Sequence, residues 1–218
     1  MLSPRSDVRV RVRGLYGIAD ATASGGDPEA LGRALLEGGC RLIQLRCKGW
    51  LQADLLRVAR VLRAQCHAVG ATFIVNDSAE VAVEADADGV HIGALDGDPA
   101  LARRVLGPNR ILGVSSNTPS VAAALAEVAD YVAFGPLWAT ANDDGRQKPP
   151  RGTEALAQAR ARIPAGTPLV AIGGITTERL PAVIGGGANA WAVIGAIAGA
   201  PDPVAATAAL CARACSSR

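Results

Sequence analysis

Polar residues collect at the ends of short apolar runs in this chain, and their types suit the handling of an anion. Gln44-Leu-Arg46-Cys-Lys48 offers an amide, a guanidinium fork and an ammonium at alternate positions. These three share one face if the strand persists that far. Arginine matches phosphate oxygens with a planar fork, lysine adds a point charge, and glutamine suits the edge of a heterocycle. Asn76-Asp77 ends the next apolar run, and Asp96 follows the one after it. Two carboxylates delivered from adjacent strand ends can hold one Mg²⁺, which keeps several waters and takes its other ligands from phosphate. Gly173-Gly174 and Ile194-Gly195 end the last two runs, where backbone N–H groups can receive a phosphate monoester. Taken singly, each group also reads as a solvated strand end or a turn residue.

His91 lies within an apolar run and reads as a satisfied interior group, whereas His67 reads as helix surface. With two histidines, a Ser-His-Asp triad or a zinc site is poorly supported. The five cysteines are odd in number and contain no CxxC pair, which fits reduced thiols in a cytoplasmic protein.

The elements that must position these groups alternate strand and helix. Continuous apolar runs begin at Gly14, Arg41, Phe73, Gly89, Ile111, Tyr131, Leu169 and Ala190. Between them, Asp27-Pro28, Asp98-Pro99, Thr118-Pro119 and Asp202-Pro203 pair a capping residue with a proline at the first helical position. Gly38-Gly39, Gly70 and Gly107 stop helices. Eight such units in 218 residues, with short connections, predict a single (β/α)8 TIM barrel. An open doubly wound sheet would offer a glycine fingerprint after its first strand, and Gly14-Leu-Tyr-Gly17 lacks that spacing. The predicted domain is residues 14–218, preceded by a lead-in over residues 1–13. Within that lead-in, the period-two pattern of Val8, Val10 and Val12 predicts a strand with one wet face, or a disordered segment.

Half the residues are hydrophobic and only 3% are aromatic, so the core must be built from small and branched aliphatics. The net charge of +2 makes any attraction for anions local rather than global. No basic patch interleaved with aromatics points to nucleic acid, and no apolar stretch is long enough to span a bilayer. The expected partners are small phosphorylated molecules, and a homo-oligomer is compatible with the pattern.

The ordered fragments QLR-C-K, VND, GVHIG-x-x-D, GVSS, FGP, AIGGI and V-I-G-A-I resemble the thiamine phosphate synthase family over about residues 14–204. The resemblance implies a barrel enzyme that joins hydroxymethylpyrimidine diphosphate to hydroxyethylthiazole phosphate and releases pyrophosphate. It implies that Gln44, Arg46, Lys48 and Asn76 hold the pyrimidine diphosphate. Ser115 would touch the diphosphate, and Asp77 and Asp96 would ligate Mg²⁺. Gly174 with the Ile194-Gly195 backbone would seat the thiazole phosphate. Arg46, Lys48 and Ser115 are the residues implied to act on the leaving group. After the sixth strand the family carries Thr-x-Thr-Lys, and this chain carries Thr140-Ala-Asn142-Asp143. Thr140, Asn142 and Lys148 are the substrate-binding candidates there, with Arg146 or Lys148 supplying the displaced cation. Ala94, Leu95, Ser78 and Gly195 replace residues usual in the family. Asn117 stands where a sister group of thiazole tautomerases carries a histidine, so an isomerase is the second expectation. A non-catalytic phosphate-binding barrel is the third.

Overall fold

Three of the four Asp-Pro and Thr-Pro signals start helices by the expected side-chain cap. Asp27 accepts from the Ala30 N–H at 2.9 Å, Asp98 from Ala100 at 2.9 Å and Asp202 from Ala205 at 3.0 Å. Thr118 also precedes a helix, Pro119–Leu125, without a side-chain cap. In this computed structural model, residues 4–93, 96–141 and 147–215 are described. The strands are β1 (Gly14–Asp20), β2 (Leu42–Arg46), β3 (Thr72–Asn76), β4 (Gly89–Ile92), β5 (Ile111–Ser116) and β6 (Tyr131–Phe134). They continue with β7 (Thr140–Ala141), β8 (Gln147–Lys148), β9 (Leu169–Ile172) and β10 (Ala190–Val193). All but β7 and β8 pair in parallel in the closed order β1-β10-β9-β6-β5-β4-β3-β2. This is the predicted (β/α)8 barrel. The remaining two form an antiparallel hairpin inserted after β6.

Side chains alternate between two cores, as the pleat requires. Tyr16, Ile18, Leu42, Ile74, Ile111, Tyr131, Ala133, Val170, Ala190 and Ala192 fill the barrel. Their neighbours in sequence, among them Leu15, Ile43, Phe73, Val90, Leu112 and Val132, pack outward against the helices. Cys40, Cys47 and Cys66 are buried free thiols, and burial pushes each up to about 12, so at neutral pH they stay protonated.

The N-terminal segment corrects the strand expectation. Residues Pro4–Arg11 form a helix. Val8 and Val12, four residues apart and so on one helix face, are buried with the barrel-filling side chains, while Val10 is 60% exposed. A strand would have placed all three on one side. Arg9 Nε donates to the Gly166 carbonyl at 2.7 Å, and Arg11 pairs with Asp88 and bonds Thr72 Oγ1. The helix is thereby fastened across the N-terminal ends of the strands.

Gly113, in the middle of β5, is required by its neighbour rather than by its own backbone. A Cβ there would lie 2.0 Å from Cζ of Tyr131, whose ring crosses the Gly113 Cα on the adjacent strand. Gly113→Ala is expected to lower the unfolding free energy by about 1–3 kcal/mol through overpacking. Urea denaturation checks this, and an unchanged midpoint would mean that the Tyr131 ring has room to move.

Candidate active site at the barrel mouth

Gln44 and Arg46 are the last two interior positions of β2, and the neighbouring β1 ends in Asp20 at the register position of Arg46. Asp20 is 4% exposed and takes Arg46 Nη1 on Oδ2 at 2.5 Å, while its Oδ1 accepts from the Ala23 N–H. The guanidinium is therefore held in one place by a buried carboxylate. The strand stops at Arg46, so Lys48 is not on its face by alternation. Its ammonium nevertheless lies 3.1 and 3.4 Å from the two Asp96 oxygens.

Asp77 follows β3 with φ at 65°, a left-handed conformation that aspartate tolerates better than most residues. Its N–H bonds the His91 carbonyl on β4 at 2.8 Å, and Asn76 Nδ2 reaches Asp77 Oδ2 at 2.5 Å. Asp96 folds back beside the end of β4, where a Cβ on Gly93 would lie 2.1 Å from its Oδ2. The Gly93 N–H in turn faces Asp77 Oδ1 at 3.4 Å. Burial and then the Asp96 charge push the Asp77 carboxyl above its ordinary value, partly opposed by the Gly93 N–H, Lys48 and Arg46. Two hard-oxygen groups close enough to repel suit a hydrated divalent cation. Among the described residues no three His, Cys, Asp or Glu side chains gather as a fuller cage.

Beneath this cluster the interior is polar in one place. Gln44 Nε2 donates to Tyr16 Oη at 2.8 Å, and Tyr16 Oη lies 2.8 Å from Tyr131 Oη. Tyr131 Oη lies 2.9 Å from His91 Nδ1, and His91 Nε2 lies 2.8 Å from Ser115 Oγ at the half-buried end of β5. Burial pushes the His91 imidazole down to about 4, so the ring is neutral, and both tyrosines are pushed well above their usual range. His91 is thus the satisfied interior group predicted from its apolar run, and His67 is on the surface.

On the opposite side of the mouth, Gly173 and Gly174 follow β9 with φ at 98° and 66°. A Cβ on Gly174 would lie 2.8 Å from Cβ of Trp138. Arg179 reaches the Gly174 carbonyl and lies over the Trp138 ring, 4.8 Å from its centre. Strand β10 ends at Val193, two residues before the expected Gly195, so Ile194 caps a short helix that Gly195 begins, with open space above Gly195. Thr140 registers with Lys148 across the hairpin. Lys148 is described through its backbone, and Asn142 and Arg146 lie outside the described residues.

Gln44, Arg46, Lys48, Asn76, Asp77, Asp96 and Ser115 therefore lie around the ends of β2 to β5. Gly174, Ile194 and Gly195 occupy the ends of β9 and β10. Asp20, Tyr16 and Tyr131 carry parts of this site that sequence reasoning missed. Asp20 was visible as a carboxylate ending the first apolar run, but its partner is 26 residues away. The tyrosines read as ordinary core. A cavity of about 430 Å³ at the other end of the barrel is lined by Arg11, Arg41, Arg63 and Asp88. Of these, Arg11, Arg41 and Arg63 are engaged with Asp88, Asp86 and backbone carbonyls.

A closed parallel barrel with cations and carboxylates at its C-terminal mouth has the layout of the barrel enzymes, whose chemistry sits at that end. Residues 15–197 match the family model described as thiamine monophosphate synthase. The chain is 44% identical over 202 residues to the thiamine-phosphate synthase of Anaeromyxobacter dehalogenans, covering 92% of this chain and 87% of that one. It is 41% identical over 195 residues to the thiamine biosynthesis bifunctional protein ThiED of Geobacter sulfurreducens, covering 88% of this chain but only 38% of that longer protein. Among solved structures, the thiamine phosphate pyrophosphorylase from Pyrococcus furiosus superposes with a TM-score of 0.85 at 31% identity, covering 96% and 98% of the two chains. The chain belongs to the thiamine monophosphate synthase family.

Asp20→Ala removes the buried carboxylate that holds Arg46 Nη1 and accepts the Ala23 N–H. A loss of about 1–3 kcal/mol in unfolding free energy is expected, with a smaller loss for Asp20→Asn, which keeps an acceptor. Denaturant titration of both variants measures the difference. Equal stabilities for Asp20→Ala and the native chain would show that the pair contributes nothing.

Proposed function

We propose that this enzyme joins an aminopyrimidine carried on a methylene diphosphate to a thiazole phosphate, forming thiamine phosphate and pyrophosphate. The observation that carries the reading is the meeting of Arg46, Lys48, Asp77 and Asp96 from three successive strand ends, beside the Gln44 amide and the Ser115 hydroxyl. Such a cluster suits a leaving group that accumulates negative charge next to a heterocycle.

Gln44 and Asn76 hold the pyrimidine edge, and Arg46, Lys48 and Ser115 grip the diphosphate. Thr140, Asn142 and Lys148 are assigned to binding the same substrate, on the family pattern alone. The backbone of Gly174, Ile194 and Gly195 receives the thiazole phosphate. As the methylene C–O bond breaks, its electron pair leaves with the diphosphate, and the electron-rich aminopyrimidine carries the resulting positive charge. The thiazole nitrogen lone pair then forms the new C–N bond. Arg46 and Lys48 favour the first event by charge, and the two halves of the site favour the second by alignment. Asp77 and Asp96 would hold magnesium, which when bound adds positive charge beside the departing oxygens. The protein supplies no covalent nucleophile.

A cytoplasmic location belongs to the same reading, supported by the buried free thiols. No helix among the described residues is long and apolar enough to cross a membrane. The isomerase reading draws no support here, because Asn117 is exposed and turned to the Thr118 hydroxyl.

Mixing both substrates with Mg²⁺ is expected to release pyrophosphate in step with thiamine phosphate. Arg46→Ala or Asp77→Ala is expected to lower turnover by about 10²–10³ while leaving the fold intact by circular dichroism. Native turnover in both variants, or no pyrophosphate from the native enzyme, would overturn the assignment.

A further inference from the structure

The buried chain from Gln44 to Ser115 has a count of protons that makes it directional. Tyr16, Tyr131 and His91 are 1%, 0% and 6% exposed, so their polar atoms must be satisfied within the chain. Tyr16 Oη accepts from Gln44 Nε2, which leaves its single proton for Tyr131 Oη. Tyr131 Oη, having accepted, has one proton to give and one remaining partner, His91 Nδ1. A neutral imidazole that accepts at Nδ1 carries its proton at Nε2, and Nε2 faces Ser115 Oγ. Ser115 therefore accepts from the interior and keeps its own proton for a group at the mouth.

We propose that Tyr16, Tyr131 and His91 are positioning residues that set the Ser115 hydroxyl as a donor toward the diphosphate. The opposite direction would spend the Ser115 proton on His91 and require Gln44 to present Oε1 to Tyr16. The Gln44 amide is thus the other terminus of the same device. A ring donor that engages Gln44 Oε1 and an anion that engages Ser115 select the same direction. Recognition of the heterocycle and recognition of its diphosphate are coupled through the barrel core, and the coupling is reciprocal. Gly113 belongs to the device, because only a residue without a Cβ lets the Tyr131 ring lie between Tyr16 and His91. The identity of the anion rests on the transferase reading; the direction of the chain does not.

The first test is the tautomer of His91 in long-range proton–nitrogen spectra of the native protein, which has two histidines. The expected form is protonated at Nε2 and bare at Nδ1, with and without Mg²⁺ and inorganic pyrophosphate. A proton on Nδ1 in the pyrophosphate complex would overturn the proposal. The second test is calorimetric binding of inorganic pyrophosphate with Mg²⁺. Ser115→Ala, Tyr131→Phe and His91→Leu should each weaken binding about 10- to 100-fold, the range for a hydrogen bond to a charged group. The Tyr131→Phe/Ser115→Ala double variant should lie within about twofold of the worse single variant. His91→Gln, whose amide can donate where Nε2 donates, should restore most of the loss seen in His91→Leu. Additive losses, equal damage from Gln and Leu at position 91, or a native protein that does not bind pyrophosphate would each overturn it. Coupled binding without product formation would sink the transferase reading and leave the chain standing. Product formation with additive binding losses would do the reverse.

Discussion

Closing eight parallel strands on themselves gives every second residue a single shared interior to fill and sends every strand's C-terminal end to the same mouth. The aliphatic layers of this protein satisfy the first demand with Ile, Leu, Val and Ala, and the N-terminal helix supplies Val8 and Val12 where the strands begin. The second demand brings together groups far apart in the chain. Arg46, Asp77 and Asp96 meet because β2, β3 and β4 are adjacent, not because anything local draws them near.

The same closure imposes a cost on polarity. Five polar side chains, Tyr16, Gln44, His91, Tyr131 and Ser115, face the inside of the barrel, where an unpaired hydroxyl or amide would cost about 1–3 kcal/mol. They avoid it by pairing with one another across five strands. Each therefore depends on the register of its neighbours. The structure spends two backbone devices on that region: the missing Cβ of Gly113 and the left-handed turn of Asp77 beside the His91 carbonyl. Stability, and under the proposed coupling substrate recognition as well, draws on the same bonds.

Charge at the mouth is arranged by similar reasoning. Asp20 and Asp96 each hold a cation in place, Arg46 and Lys48 respectively, so the cations are oriented before any anion arrives. Asp77 is left as the carboxylate with the raised affinity for a proton, flanked by Asp96. That imbalance is what the proposed divalent cation would relieve. On the far side, Arg179 is engaged with Gly174 and Trp138, which leaves the backbone of two glycine turns as the group proposed to meet the ligand.

The strands, the helix starts and the polar strand ends were legible in the chain because each is set by a period of two or 3.6 and by local capping chemistry. The family resemblance lay in those same strand ends. The strand expected over Val8–Val12 failed because both periods place Val8 and Val12 on one face, and only the exposure of Val10 separates them. Asp20 beside Arg46, and Tyr131 between Tyr16 and His91, were not legible. Their partners are 26 to 115 residues away, and no local pattern encodes which interior positions meet. The amino-acid order by itself determined what each segment becomes and which groups it carries to its end. Only barrel closure decided which of those groups touch, because contact across the interior is set by strand order and register rather than by neighbours in sequence.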